Sequence, residues 1–145
     1  MQATIQWIGG VAFEATADSG HQVVMDGSPA YGGENRGFRP MELILEGLGG
    51  CASFDLVTIL KKARQDITAV RCDLKAERAD DIPAVFTKIH LHFVVTGRDV
   101  KEKQVDKAIH LSADKYCSAS RMLTQGGVEI THSFEIVQAE DNSFL

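Results

Sequence analysis

Apolar and polar residues alternate in short runs at the start of the chain. Residues 2–8 (QATIQWI), 11–17 (VAFEATA) and 21–26 (HQVVMD) each have strand length. Gly9-Gly10 and Asp18-Ser19-Gly20 separate them, so the segment predicts an antiparallel meander of three strands. Residues 27–40, GSPAYGGENRGFRP, lose the alternation and predict a loop of the length that compact domains keep for function. The longest apolar segment, PMELILEGLGGCASFDLVTILKKARQD, opens at Pro40 and predicts a helix. Proline suits its first position, Glu42 its start, and Lys61, Lys62 and Arg64 its end. Its apolar residues, from Leu43 to Leu60, fall almost all round the helical wheel. Such a helix is buried on every side. A chain of 145 residues can hardly surround it alone, so a second subunit is the expected cover.

Two more strands follow. Residues 67–77 carry Val70, Cys72 and Leu74 on one face, and residues 85–97 carry Ile89, Leu91, Phe93 and Val95 on one face. Residues 100–116 predict a second helix, with Val105, Ala108, Ile109 and Ser112 at helical spacing. After Gly126-Gly127, residues 128–137 predict a last strand. The order βββ-α-ββ-α-β reads as one α+β domain over residues 1–145, with mostly antiparallel sheets and no internal repeat.

Charge narrows the partners. Lys plus Arg total 15 against 20 Asp plus Glu, a net charge of −5. Phosphate neutralisation supplies most general nucleic-acid affinity, so no nucleic-acid partner is expected. No apolar run approaches the roughly 20 residues of a membrane span, so no membrane association is expected. The opening MQATIQWIGG has no basic flank of a signal peptide. The expected location is cytoplasmic.

The chemistry turns on three cysteines, Cys51, Cys72 and Cys117. An odd, small number is not a secreted disulfide framework. No CxxC pair and no matching histidine pair is present, so neither a metal site nor a cofactor is expected. Cysteines in a cytosolic protein are inert core residues or reactive thiols. Cys51 follows Gly47, Gly49 and Gly50, each costing about 1 kcal/mol in a helix relative to alanine. Either the glycines let a backbone or a substrate approach the thiol, or they allow tight helix packing around a small core cysteine. Gly47-x-Gly49-x-x-Ala52 also matches a dinucleotide fingerprint, with ELILE as its strand and Asp73 as the ribose acid. Pro40 and Glu42, which mark a helix start, and the preceding meander argue against it. Cys117 lies among small polar residues with Lys115 and Arg121 near it, and a cation favours thiolate. The alternative is a partly buried cysteine at a helix end. Cys72 reads as core. Asp55, four residues after Cys51, shares its helical face and disfavours a thiolate unless Arg36 or Arg39 of the loop supplies a cation. His90 and His92 lie on one strand face with Lys88 and read as solvent-facing.

Pro40-Met41-Glu42-Leu43, Gly47-Leu48-Gly49-Gly50-Cys51 and Tyr116-Cys117-Ser118 together resemble the OsmC/Ohr family of hydroperoxide reductases. The resemblance covers nearly the whole chain and is nearest to the OsmC-like branch typified by PMEL…LGGC and KYCS. It implies an intertwined homodimer in which two central helices cross and the active sites lie at the interface. It further implies Cys51 as peroxidatic cysteine and Cys117 as resolving cysteine. An organic hydroperoxide is the implied substrate and a dithiol the implied reductant. The family pairs an arginine and a glutamate with the reactive cysteine. Here the N-terminal strands hold no arginine, and Met41 rather than a glutamate follows the loop proline. Arg39, or Arg36, is therefore the expected cation, with Glu42 orienting it. The alternative is a non-catalytic redox or small-ligand-binding protein that keeps the fold and the thiols.

Overall fold

A computed structural model describes residues 1–140. The chain forms two compact units, Met1–Glu46 and Gly47 onward. In the first, β1 (Ala3–Trp7), β2 (Phe13–Ala17) and β3 (Gln22–Met25) form the antiparallel meander, with β2 central. The strands end within two residues of the alternating runs, because glycines at positive φ (Gly9, Gly10 and Gly20) make the turns. All of β1 is exposed.

The following loop is organised around a buried carboxylate. Asp26 accepts hydrogen bonds from the backbone N–H of Gly27 (2.8 Å), Glu34 (3.0 Å) and Arg36 (3.2 Å). The Arg36 Nε lies 3.6 Å from the same carboxylate, and its Nη2 donates to the Gly9 carbonyl at 3.1 Å. Gly33 permits the closure, since a Cβ there would collide with the Gly27 backbone. Burial pushes the Asp26 carboxyl up, but the three N–H donors and the Arg36 charge outweigh it and hold it below its ordinary value.

The long helix α1 (Pro40–Lys62) is continuous. By length and mean hydropathy, 1.6 over an 18-residue window, it is apolar enough to cross a membrane. No uninterrupted apolar run within it approaches that length, as expected. Glu46 and Asp55 interrupt the run without lowering its average enough. In the second unit the helix buries Leu48, Ala52, Leu56 and Leu60, a stripe at i, i+4 spacing. Other faces stay open: Ile44 is 47% and Phe54 72% exposed.

The second sheet holds β4 (Asp66–Arg78), β5 (Phe86–Arg98) and β6 (Glu129–Gln138) in that order. β4 and β5 are antiparallel, whereas β5 and β6 run parallel. The parallel pair requires a crossover, which α2 (Glu102–Leu111), a π-helical turn (Ser112–Tyr116) and α3 (Ser118–Gln125) provide. The single helix expected over residues 100–116 is thus α2 plus the π turn, and α3 is an additional helix. On β5, Ile89, Leu91, Phe93 and Val95 are buried as expected. The opposite face differs from the solvated reading. His90 and His92 are half-buried and tied to Thr131 and Ser133 of β6 by contacts of 2.6–2.8 Å.

Two outcomes are expected. Leu56→Ala should destabilise by about 2–5 kcal/mol in denaturant unfolding, as fully buried leucines do. Asp26→Asn should lower the melting temperature at neutral pH. Because the folded Asp26 carboxyl titrates below its unfolded value, its contribution is present above about pH 4. The wild-type advantage over Asp26→Asn should shrink as pH falls below that point.

Candidate active site

Cys51 and Asp55 stand one turn apart on α1, so the buried leucine stripe that seats the helix also sets their direction. Cys117 comes from the far end of the π turn. Its N–H donates to the Ser112 carbonyl at 2.8 Å, and its Sγ caps α3 by accepting from the Ser120 N–H at 3.4 Å. Ser112 Oγ in turn donates to the Ala52 carbonyl at 3.2 Å, which ties the turn to α1 beside Cys51. The Sγ atoms of Cys51 and Cys117 and a carboxylate oxygen of Asp55 consequently lie within 4.8 Å of one another. Cys117 is buried, and Cys51 and Asp55 are half-buried. Neither the π turn nor the Ser112 tether left a pattern in the sequence, since a π turn has no residue signature comparable to a cap or a glycine turn.

Electrostatics keep Cys117 protonated. Burial is the main cause; with contact from the Cys51 thiol and the charges of Cys51 and Asp55, it pushes the Cys117 thiol up to about 11. The Ser120 N–H opposes this only in part. Asp55 Oδ2 is buried with no hydrogen-bond donor among the described residues. Cys72 lies outside the cluster, half-buried on the Val70–Leu74 face of β4. Burial and the Asp73 charge push its thiol up to about 11, despite a Ser53 hydrogen bond.

The glycines beside Cys51 divide between the two roles. A Cβ on Gly49 would stand 2.8 Å from Leu74 Cδ1, so that glycine serves helix-on-sheet packing. Gly47 and Gly50 face open space. The candidate charges are all engaged locally. Arg36 serves the Asp26 loop. Arg39 Nη1 donates to Asn35 Oδ1 (3.0 Å) and to the Gly37 carbonyl (3.2 Å). Glu42 Oε1 accepts from the Arg39 backbone N–H at 2.7 Å and so caps the start of α1; this bond goes to the Arg39 backbone, not its guanidinium. Arg121 donates to the Asp114 carbonyl at 3.2 Å, and Lys115 lies over the Tyr116 ring. ELILE is helical, which removes the strand that a dinucleotide fingerprint needs.

A three-strand meander, a long helix bearing one cysteine, and a second sheet whose crossover returns another cysteine to that helix define an OsmC-type α+β protein. The family model for OsmC-like protein matches residues 32–133, and the chain belongs to that family. It is 45% identical over 139 residues to Protein YhfA of Escherichia coli K12, covering 96% of this chain and all of that one. A hypothetical protein from Aquifex aeolicus VF5 superposes with a TM-score of 0.83 at 28% identity, over 96% of this chain and 97% of that one. An organic hydroperoxide resistance protein OsmC from Legionella pneumophila shares the fold at TM-score 0.71 and 16% identity, over 92% and 95% of the two chains.

Alkylation of Cys117 in the reduced protein should remain slow at neutral pH and rise only toward pH 11, read by peptide mass spectrometry. Asp55→Asn removes one of the charges that raise this thiol, so the midpoint should move down. An unchanged midpoint in that variant would show that Asp55 does not act on Cys117.

Proposed function

We propose that this chain is a thiol-dependent peroxidase that reduces organic hydroperoxides through Cys51 and Cys117. The observation that carries the reading is the contact of two thiols separated by 66 positions, beside an open helix flank at Gly47 and Gly50. The Cys51 thiolate attacks the distal peroxide oxygen. The O–O bond breaks, Cys51 becomes a sulfenic acid, and the alkoxide leaves and takes up a proton. The Cys117 sulfur then attacks the sulfenic sulfur, and a disulfide forms with loss of water. A dithiol reductant restores both thiols by exchange. The sulfurs must close to about 2.05 Å, which needs side-chain rotation from their present spacing.

Arg39 is the favoured activating cation, with Glu42 holding its backbone N–H rather than its guanidinium. The alternative, Arg36, is committed to Asp26 and Gly9, while the Arg39 guanidinium holds only neutral acceptors among the described residues. A homodimer is part of the proposal. It is supported by the exposed apolar side chains Trp7 (65%), Ile44 and Phe54, and by the openness of Gly47 and Gly50. The protein named for organic hydroperoxide resistance in Legionella pneumophila supports the substrate class by fold. Asp55 beside both thiols favours a second reading, a redox or ligand-binding protein without turnover.

One equivalent of cumene hydroperoxide should lower the intact mass by two hydrogen atoms. Cys51→Ser should abolish peroxide consumption. Cys117→Ser should give one turnover and a trapped sulfenic acid that a dimedone-type probe labels, and Cys72→Ser should keep turnover. Arg39→Met should slow turnover roughly 100- to 1000-fold if it acts as oxyanion donors do. No mass change in the wild-type protein would reject the peroxidase and support the second reading. Light scattering should give a dimer, and a stable folded monomer at micromolar concentration would reject the assembly.

A further inference from the structure

We propose that Cys51, Cys117 and Asp55 also form a binding site for a thiophilic divalent cation of the zinc class. Three donors of the right kind already converge: two sulfurs and one carboxylate oxygen, all within 4.8 Å of one another. A tetrahedral ion about 2.3 Å from sulfur and 2.0–2.2 Å from oxygen holds its donors roughly 3.5–3.8 Å apart, so the set has to close from a spacing of up to 4.8 Å. Two sulfurs select zinc or cadmium over magnesium and calcium, which take oxygen-only shells.

A second observation points to the same place. Asp55 Oδ2 is a buried acceptor with no donor among the described residues. A buried carboxylate oxygen left unpaired is costly, and a cation coordinated by the group removes that cost. The scaffold also suits a metal. Cys51 and Asp55 ride one helix face, while Cys117 is fixed through the Ser112 carbonyl and the Ser120 N–H. Ligands on rigid elements hold their geometry better than ligands on free loops. Three protein ligands leave the fourth position to water or an incoming small molecule.

Linear spacing does not reveal this site, because the third ligand arrives by tertiary contact. Binding is a substitution without redox change: each S–H proton passes to solvent as a metal–sulfur bond forms. The same two sulfurs make the disulfide of the proposed peroxidase, so cation and disulfide exclude each other. Oxidation would then release the ion. The cation site does not depend on peroxidase activity, and it is tested without peroxide.

The reduced full chain should be titrated with Zn²⁺ against a chromophoric chelator, and with Cd²⁺ while thiolate-to-cadmium charge-transfer absorption is recorded. We expect one ion per chain and a charge-transfer band. Cys51→Ser and Cys117→Ser should each lose the site. Asp55→Asn should weaken it at least about tenfold, since even outer-shell partners are worth 10–100-fold. Cys72→Ser should bind as wild type does, and protein oxidised with diamide to the Cys51–Cys117 disulfide should bind none. Circular dichroism would check that each variant is folded. Absence of the band in the wild-type protein overturns the proposal without reference to any variant. So does binding that survives in both cysteine variants, which would place the ion on surface histidines. Cation binding by a protein that consumes no peroxide would reject only the peroxidase reading. Peroxide turnover without cation binding would reject only the cation site.

Discussion

The packing of Leu48, Ala52, Leu56 and Leu60 on the second sheet is the constraint on which the rest depends. Four residues at i, i+4 spacing leave α1 one way to sit, and once it sits the neighbouring positions have no freedom of direction. Cys51 and Asp55 then point to one side, where Cys117 meets them, and the glycines at positions 47 and 50 leave open space beside their own Cα atoms. Removing bulk there costs helix propensity. Gly49 admits Leu74, whereas a Cβ at Gly47 or Gly50 would meet nothing within 4 Å.

The crossover from β5 to β6 does the complementary work. A parallel strand pair obliges the chain to return across the sheet, and the return path carries Cys117 back to α1. The π turn adds a residue to the helical ladder just before Cys117, a device frequent at functional sites. It ends α2, seats the Ser112 hydroxyl on the Ala52 carbonyl, and leaves Cys117 free to cap α3. The result is three acid-capable groups in one half-buried space. That crowding, with burial, keeps the Cys117 thiol protonated, as the resolving role proposed for it requires. It equally suits a soft cation that takes the place of the thiol protons.

In the N-terminal unit a single buried carboxylate organises the loop that leads into α1. Asp26 gathers three backbone N–H groups and Arg36, which places Arg39 and the Glu42 cap at the helix start. Arg36 and Arg39 are the two basic residues of that loop. They differ in what they hold, an ionised buried partner against neutral acceptors.

Local pattern was enough for the meander, the long helix and the strand faces, because alternation, a leading proline and turn glycines act over a few residues. It was also enough to pair Cys51 with Asp55, since helical spacing is itself local. The OsmC-type resemblance followed from motifs around the two cysteines. Tertiary structure alone decided the rest. It made β6 parallel, split the crossover with a π turn, and tied half-buried His90 and His92 to Thr131 and Ser133. It also brought Cys117 to Asp55 across 62 positions and left Asp55 Oδ2 without a donor. These outcomes depend on contacts between residues far apart in the chain, and no periodicity along the chain encodes which distant groups will share a dehydrated space.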